Sequence, residues 1–435
     1  MTYIPKEQRK TILFLSDDIH APTGVGTVTR AIIGLTANHF NWIELAGLGK
    51  HPYDKQLFDA TEEIAKEFNY DKDDIAVKLY CTNGYGDAQQ IRFILEHEKI
   101  DAIMCFTDPH YWYWLFEMAM EFRTKIPLLY YHVWDNYPLP HFNKPYYESC
   151  DYIASISKVT EDIVDKVCTD EYKKRMKLHY IPHGINSNFF YKITEDSTDY
   201  PEFLEFKKKL YNDEDINFTV LFNNKNMGRK ELPSVMESFN NFLKTLSYED
   251  AIKCRLIIHT NPAEPVGVNI TELARYQYPD IKIILSSTIL QTKEINFLYN
   301  CSDVTINLSS AEGFGLATAE SLMSETPIIA HQTGGLQDQS VGPWAYKVPV
   351  AYKQLASNQT VHYIYNDYPD KVSATEGIKH FYNLSTEERA ELGKQGRQFM
   401  LDNFSAEVMC HKFEETIDDL LVNFKPISRI KVIKI

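Results

Sequence analysis

The chain has 435 residues, with 45 Lys and Arg against 60 Asp and Glu, a formal net charge of −15. Its 44% hydrophobic and 24% charged residues are those of an ordinary globular protein long enough to bury a large core, which excludes disordered, collagen-like and coiled-coil readings. The acid excess disfavours a protein that coats nucleic acid through phosphate contacts and leaves only local basic runs, such as Lys173, Lys174, Arg175 and Lys177, or Lys207, Lys208 and Lys209, which are ordinarily solvated helix faces.

Residues 1–10 are polar, and the first apolar run, 11–16, is too short for a signal-peptide core or a membrane span, so a cytoplasmic protein is expected. Short β-rich runs then alternate with helical patterns, the signature of βαβ units around a parallel sheet. Strands are predicted at 11–16, 42–48, 75–80, 101–107, 127–132, 152–157 and 178–182, with helices at 87–97, 111–122 and 159–167. A polar, acidic stretch, 186–217, breaks this rhythm and predicts a linker. Beyond it the pattern restarts, with strands at 219–223, 255–259, 282–286, 304–308 and 327–331 and helices at 232–246, 292–299, 314–324 and 386–401. Residues 405–421 predict an amphipathic helix, and the alternating basic tail 429–435 an edge strand or strap. The organisation expected is a Rossmann-like domain at 1–185, the linker 186–217, a second Rossmann-like domain at 218–404, and a terminal helix and tail at 405–435. Two doubly wound domains can face each other with the carboxyl ends of their strands, where such sheets bind ligands. Seven scattered cysteines, with no Cys-x-x-Cys and no zinc spacing, read as reduced, mostly buried thiols.

Chemistry is concentrated in the loops after the strands. After the first strand, Asp17-Asp18-Ile-His-Ala-Pro-Thr-Gly24-Val-Gly26 offers two glycines that let amides approach a phosphate at a helix start. Thr29 stands where a dinucleotide fingerprint has its third glycine, and no acid ends the second strand, so a nicotinamide dehydrogenase is disfavoured. A tight turn without a ligand explains this loop equally well. The strongest pattern is Asn307-Leu-Ser-Ser-Ala-Glu312-Gly313-Phe314-Gly315-Leu316-Ala317-Thr-Ala-Glu320. A strand ends, glycines turn the chain, and a helix begins whose free amides suit an anion. Glu312 precedes that helix and Glu320 lies two turns in, a spacing that offers two carboxylates to the paired hydroxyls of a sugar and a ribose.

These residues resemble the retaining nucleotide-sugar glycosyltransferases of family 4, whose hallmark Glu-x7-Glu is met by Glu312 and Glu320. Thr326-Pro327-Ile-Ile-Ala-His-Gln-Thr-Gly334-Gly335 is similar to the family's strand and glycine loop, and Pro182-His183-Gly184-Ile185-Asn186 to its hinge, with His183 replacing Asn. Asn223-Asn-Lys225-Asn-Met-Gly-Arg229-Lys230 resembles the family's phosphate clamp. Lys225 takes the Arg place by spacing and Lys230 the Lys place, with Arg229 a rival for the former. His132 matches the His of a family His-Asp pair, its Asp displaced to Asp135, and 405–421 resembles the helix that crosses back onto the first domain. Ser155-Ile-Ser157-Lys-Val-Thr160 is similar to the family's helix entry or is simply a cap.

The resemblance implies an α/β protein of the GT-B fold, two facing Rossmann-like domains with a C-terminal crossover helix, and an enzyme that transfers a hexose or pentose with retention. It implies a nucleotide-diphosphate sugar as donor, UDP-linked, with no cofactor and no metal; Asp17 and Asp18 are read as a strand-end pair. Glu312, His132, Lys230 and Arg229 are the implied catalytic residues. Gly24, Gly26, Lys225, Arg229, Lys230, Glu312, Gly313, Phe314, Gly315, Leu316, Ala317 and Glu320 are the implied donor contacts. Aromatic and polar residues around Asp108, His110, Trp134 and Asp135 are candidates for the acceptor. The variants at 142–150 and 224–230 look like those of enzymes encoded by large tailed phages, which places the protein in a host cytoplasm and makes the acceptor a glycan or hydroxymethylcytosine-containing DNA. A catalytically idle GT-B protein that binds a nucleotide sugar or scaffolds partners is the alternative.

Overall fold

The computed structural model describes residues 4–358 and 361–427 and divides into two compact units. The first runs through Gly184 and is completed by Asn358–His362 and the chain from Ala406; the second consists of Ile185–Ser357 and Tyr363–Ser405. The tail 429–435, expected as a strand or strap, lies outside the described residues.

In the first unit, β1 (Thr11–Asp17), β2 (Asn41–Leu48), β3 (Leu57–Asp59), β4 (Val77–Asn83), β5 (Ala102–Phe106), β6 (Leu128–His132), β7 (Tyr152–Ser155) and β8 (Lys177–Tyr180) form one sheet. Their order is β3-β4-β2-β1-β5-β6-β7-β8, parallel throughout except for β3, which is antiparallel to β4. β1, β5 and β6 are apolar runs with buried cores, because helices cover both faces of a parallel sheet. β3 was not expected: all three of its residues are exposed, so no burial pattern marks it. The terminal helix Ala406–Asn423 packs on the helix Gly24–Thr36 of the same unit and buries Met409, Cys410, Phe413, Ile417 and Leu420, a stripe of helical period.

In the second unit, β9 (Phe218–Asn223), β10 (Cys254–His259), β11 (Ile283–Ser286), β12 (Val304–Asn307), β13 (Ile328–His331) and β14 (Ala345–Val348) form a parallel sheet ordered β11-β10-β9-β12-β13-β14. This is the doubly wound order, reversing direction between β9 and β12. An antiparallel hairpin, β15 (Val350–Ala356) and β16 (Ile364–Pro369), follows and was not expected. Its first strand is almost entirely exposed, so its sequence carries no core signal. The polar stretch 186–217 holds the helix Tyr200–Tyr211, whose Phe203 packs with Ile193, Phe297 and Cys301. Tyr200, Phe206, Leu210 and Tyr211 of the same helix pack beside it, partly buried. All seven cysteines are free and buried, and among the described residues no helix is long and apolar enough to cross a membrane.

Candidate functional site

Glu312 sits in the loop that leaves β12. Asn307, the last residue of that strand, fixes the loop: its Oδ1 accepts from the Ser309 amide at 3.1 Å and lies 2.6 Å from the Ser309 hydroxyl. The Glu312 carbonyl accepts from the Gly335 amide at 2.9 Å. A side chain on Gly334 would come within 2.0 Å of that carbonyl, and Gly334 has φ +46, so the glycine loop after β13 is built to let the Glu312 backbone approach. Gly315, at φ +93, starts the helix Leu316–Met323, and no side chain caps it. Gln339 closes the turn from behind, donating to the Phe314 carbonyl at 2.7 Å. The first turn of the helix thus has no side-chain cap, the arrangement that suits an anion.

The loop after β9 brings the cations. Lys230 is buried and forms an ion pair with Glu312, while Arg229 donates to the Ala311 carbonyl at 2.7 Å and stands 3.9 Å from the Glu312 carboxylate. The Ser310 amide donates to the Arg229 carbonyl at 2.8 Å, so the two loops are stitched along their backbones as well. Burial pushes the Glu312 carboxyl upward, but the charges of Lys230 and Arg229 outweigh it and hold the group below the ordinary carboxylate range. Lys225 lies elsewhere: it is exposed and pairs with Glu264 at 3.5 Å. Arg229 and Lys230 therefore stand beside Glu312, and Lys225 pairs away from it. Asn226 anchors this loop through a reciprocal pair of hydrogen bonds with the Val268 backbone, at 2.8 and 2.9 Å.

Glu320 follows on the helix. Its carboxylate accepts from the Tyr299 hydroxyl at 2.8 Å, and that hydroxyl in turn accepts from the Asn223 side-chain amide at 2.8 Å. Burial raises the Glu320 carboxyl to about 7 despite the tyrosine bond that favours its anion. Sequence reasoning missed Asn223, Tyr299, Asn226 and Gln339 as parts of this site. An Asn at a strand end carried a weak signal, and the others read as ordinary helix or loop residues.

The candidates of the first unit have other surroundings. His132 is fully buried, with Nδ1 3.0 Å from the Tyr130 hydroxyl and Nε2 2.8 Å from the Tyr147 hydroxyl, and burial lowers it to about 3. Both ring nitrogens are thus engaged, one with Tyr130 of the same strand and one with Tyr147. Trp134 is likewise buried, donating to the Asn136 carbonyl at 2.8 Å, and Asp135 is half-buried beside it. Asp108 precedes a short turn, and His110 lies against Tyr111 with ring centroids 4.0 Å apart. Gly24 is exposed at its helix start, whereas the Gly26 amide already donates to the Thr23 hydroxyl at 3.0 Å. A side chain on Gly26 would meet the Ala21 and Asp18 carbonyls at 2.7 and 2.8 Å, so close packing is sufficient reason for that glycine.

Known structures share this architecture. Sucrose-phosphate synthase from Thermosynechococcus elongatus superposes with a TM-score of 0.67 at 16% identity, covering 95% of this chain and 100% of that one. The Anabaena HepE protein in complex with UDP and glucose gives 0.61 at 14% identity, covering 95% and 100%. The chain has the GT-B fold. Its two units are the two Rossmann-like domains of GT-B, and the Glu312 loop lies within the second of them. Among sequences, 62 residues are 36% identical to trehalose synthase of Thermococcus litoralis, a match spanning 14% of this chain and 15% of that relative's length. No protein-family model matches the chain.

Proposed function

We propose that the chain is a retaining glycosyltransferase of the family 4 kind, moving a sugar from a nucleotide-diphosphate sugar to an acceptor hydroxyl. The observation that carries this reading is the ionised Glu312 held by Lys230 and Arg229 beside an uncapped helix start, with Glu320 in the second turn of that helix. A diphosphate meets two cations and the amides of Gly315, Leu316 and Ala317 there. Glu312 orients the donor sugar, and Glu320 accepts from the ribose hydroxyls. The HepE structure bound to UDP and glucose supports a UDP-linked donor.

In the reaction the acceptor oxygen bonds to the anomeric carbon on the face the diphosphate leaves. The carbon–oxygen bond to the diphosphate breaks, and the acceptor proton passes to a phosphate oxygen. The chain then supplies position and charge rather than a nucleophile: Lys230 and Arg229 neutralise the charge that builds on the leaving group. Those cations do the work a divalent ion does elsewhere, so turnover should persist in chelator. The acceptor is a glycan or a hydroxymethylated base in DNA.

The test is nucleotide release from UDP-, GDP- and ADP-sugars, followed by product mass with an oligosaccharide or hydroxymethylcytosine DNA as acceptor. A mass increase of one sugar on either acceptor, with the anomeric configuration kept, is expected. Donor binding without release or transfer would replace the enzyme by an idle binder.

A further inference from the structure

The first unit holds a cavity of about 260 Å³ at the carboxyl ends of β1, β2 and β4, apart from the acceptor candidates chosen from sequence. Pro22, Leu48, Pro52, Tyr53, Phe58 and Leu79 give it apolar walls. Tyr53 and Phe58 are 52% and 40% exposed, unusual for aromatics, and their rings lie within 19° of parallel with centroids 6.4 Å apart. His20 meets Phe58 edge-on at 6.2 Å.

The polar groups in the wall are already engaged with one another. Asp18 Oδ1 accepts from the His20 amide at 2.6 Å and lies 2.7 Å from His20 Nδ1, while His20 Nε2 lies 2.9 Å from Glu63. Asp18 Oδ2 lies 2.7 Å from His51 Nε2. His51 Nδ1 accepts from the Tyr53 amide at 3.0 Å, which places the proton of a neutral His51 on Nε2, pointing at Asp18. Asp18, His51 and Cys81 come within 4.8 Å of one another, as metal ligands do. A nitrogen that donates its proton to Asp18 has no lone pair to give a cation, so Asp18 and His51 form a hydrogen-bonded pair in the wall. Buried in the same wall, Cys81 is a thiol that adds apolar surface.

A glycan entering this space would strip water from several hydroxyls and find their partners taken. A flat apolar ring loses nothing comparable and gains the aromatic surface of Tyr53 and Phe58. The volume is below that of a drug-sized site and suits one ring rather than a chain of sugars. We propose that this cavity receives a single planar aromatic ring, which, on the transfer reading above, belongs to the acceptor and carries its hydroxyl. The chemistry fits a free aromatic alcohol; a hydroxymethylated base shares the planar ring but would lose water from its amino, ring-nitrogen and carbonyl groups, so its binding is an outcome of the test.

The experiment uses the full chain without donor, titrated with benzyl alcohol and separately with methyl glucoside while ligand signals are followed by saturation-transfer NMR. Saturable binding of benzyl alcohol is expected, weakened at least fivefold in both Tyr53→Ala and Phe58→Ala, with no saturable signal from methyl glucoside. The two variants change exposed side chains, and circular dichroism checks that they fold. Absent benzyl alcohol binding, binding that both variants leave unchanged, or methyl glucoside binding that both variants abolish would overturn the proposal. Competition by a hydroxymethylcytosine oligonucleotide supports it with nucleic acid as the source; saturable ring binding without competition supports it with a free alcohol. Failure here is separable from failure of the transfer reading, since nucleotide release from the donor is read independently of ring binding.

Discussion

Lys230 and Glu312 keep only 8% and 11% of their side-chain surface, so neither charge can return to water when the other is removed. Lys230→Met should therefore cost about 3 kcal/mol in urea unfolding, the usual result of stranding one member of a buried pair. Arg229 is 43% exposed and its removal should cost little stability. It should instead weaken donor binding by about tenfold, the size of one charge-assisted contact. Lys225→Ala, remote from Glu312, should change donor affinity by less than about threefold on the same scale; calorimetry with UDP on both variants checks the pair. Glu320 gives a pH signature. Its carboxyl titrates near 7 in the folded chain against 4.5 for the ordinary group, so the folded state holds the extra proton. Stability from this group is full below the ordinary value and is lost as pH rises toward 7, by on the order of 1–2 kcal/mol for a partly exposed site. A ribose diol donates to the anion, so donor affinity should rise as pH passes from 6 to about 8, and Glu320→Gln should abolish that rise.

At the scale of elements, the Gly334 loop is the clearest point where backbone shape governs the site. Gly334→Ala puts a methyl group 2.0 Å from the Glu312 carbonyl, at a φ that L side chains rarely adopt. A loss of about 2 kcal/mol or more in stability is expected, together with reduced transfer, because the Glu312 loop must retreat. Gly228→Ala is the control: its new methyl group meets nothing within 4 Å, so stability should stay within about 0.5 kcal/mol. Denaturant unfolding separates the two. The same loop shows what was readable beforehand. Thr333-Gly334-Gly335 and the Gly313-Phe314-Gly315 turn stood out because glycine marks close approach and positive φ. Buried strands such as β1 and β6 were visible as apolar runs. β14, with one buried residue in four, and the exposed hairpin β15–β16 had no pattern to show. The helix Tyr200–Tyr211 hid inside charge, since Phe203 is its one fully buried residue. Partnerships between elements were beyond the sequence altogether: Tyr299 meets Glu320, and Tyr147 meets His132, only because packed elements bring them together.

Across the whole molecule, a net charge of −15 should repel a diphosphate, while Arg229 and Lys230 beside Glu312 offer it two cations. Salt separates these influences, because exposed charges more than about 10 Å away are screened at 0.1 M ionic strength and contacting charges much less so. If the global field governed binding, added salt would relieve repulsion and tighten the donor. With Arg229 and Lys230 governing, raising salt from about 50 to 500 mM should weaken UDP binding, and only by a few-fold, since Glu312 cancels part of the local charge and the helix amides are fixed dipoles that salt screens poorly. Calorimetry across that range reads the sign directly. The same measurement on Arg229→Ala should show a flatter dependence, as one attractive charge has gone, and a slope unchanged by that substitution would detach the diphosphate from the Glu312 loop.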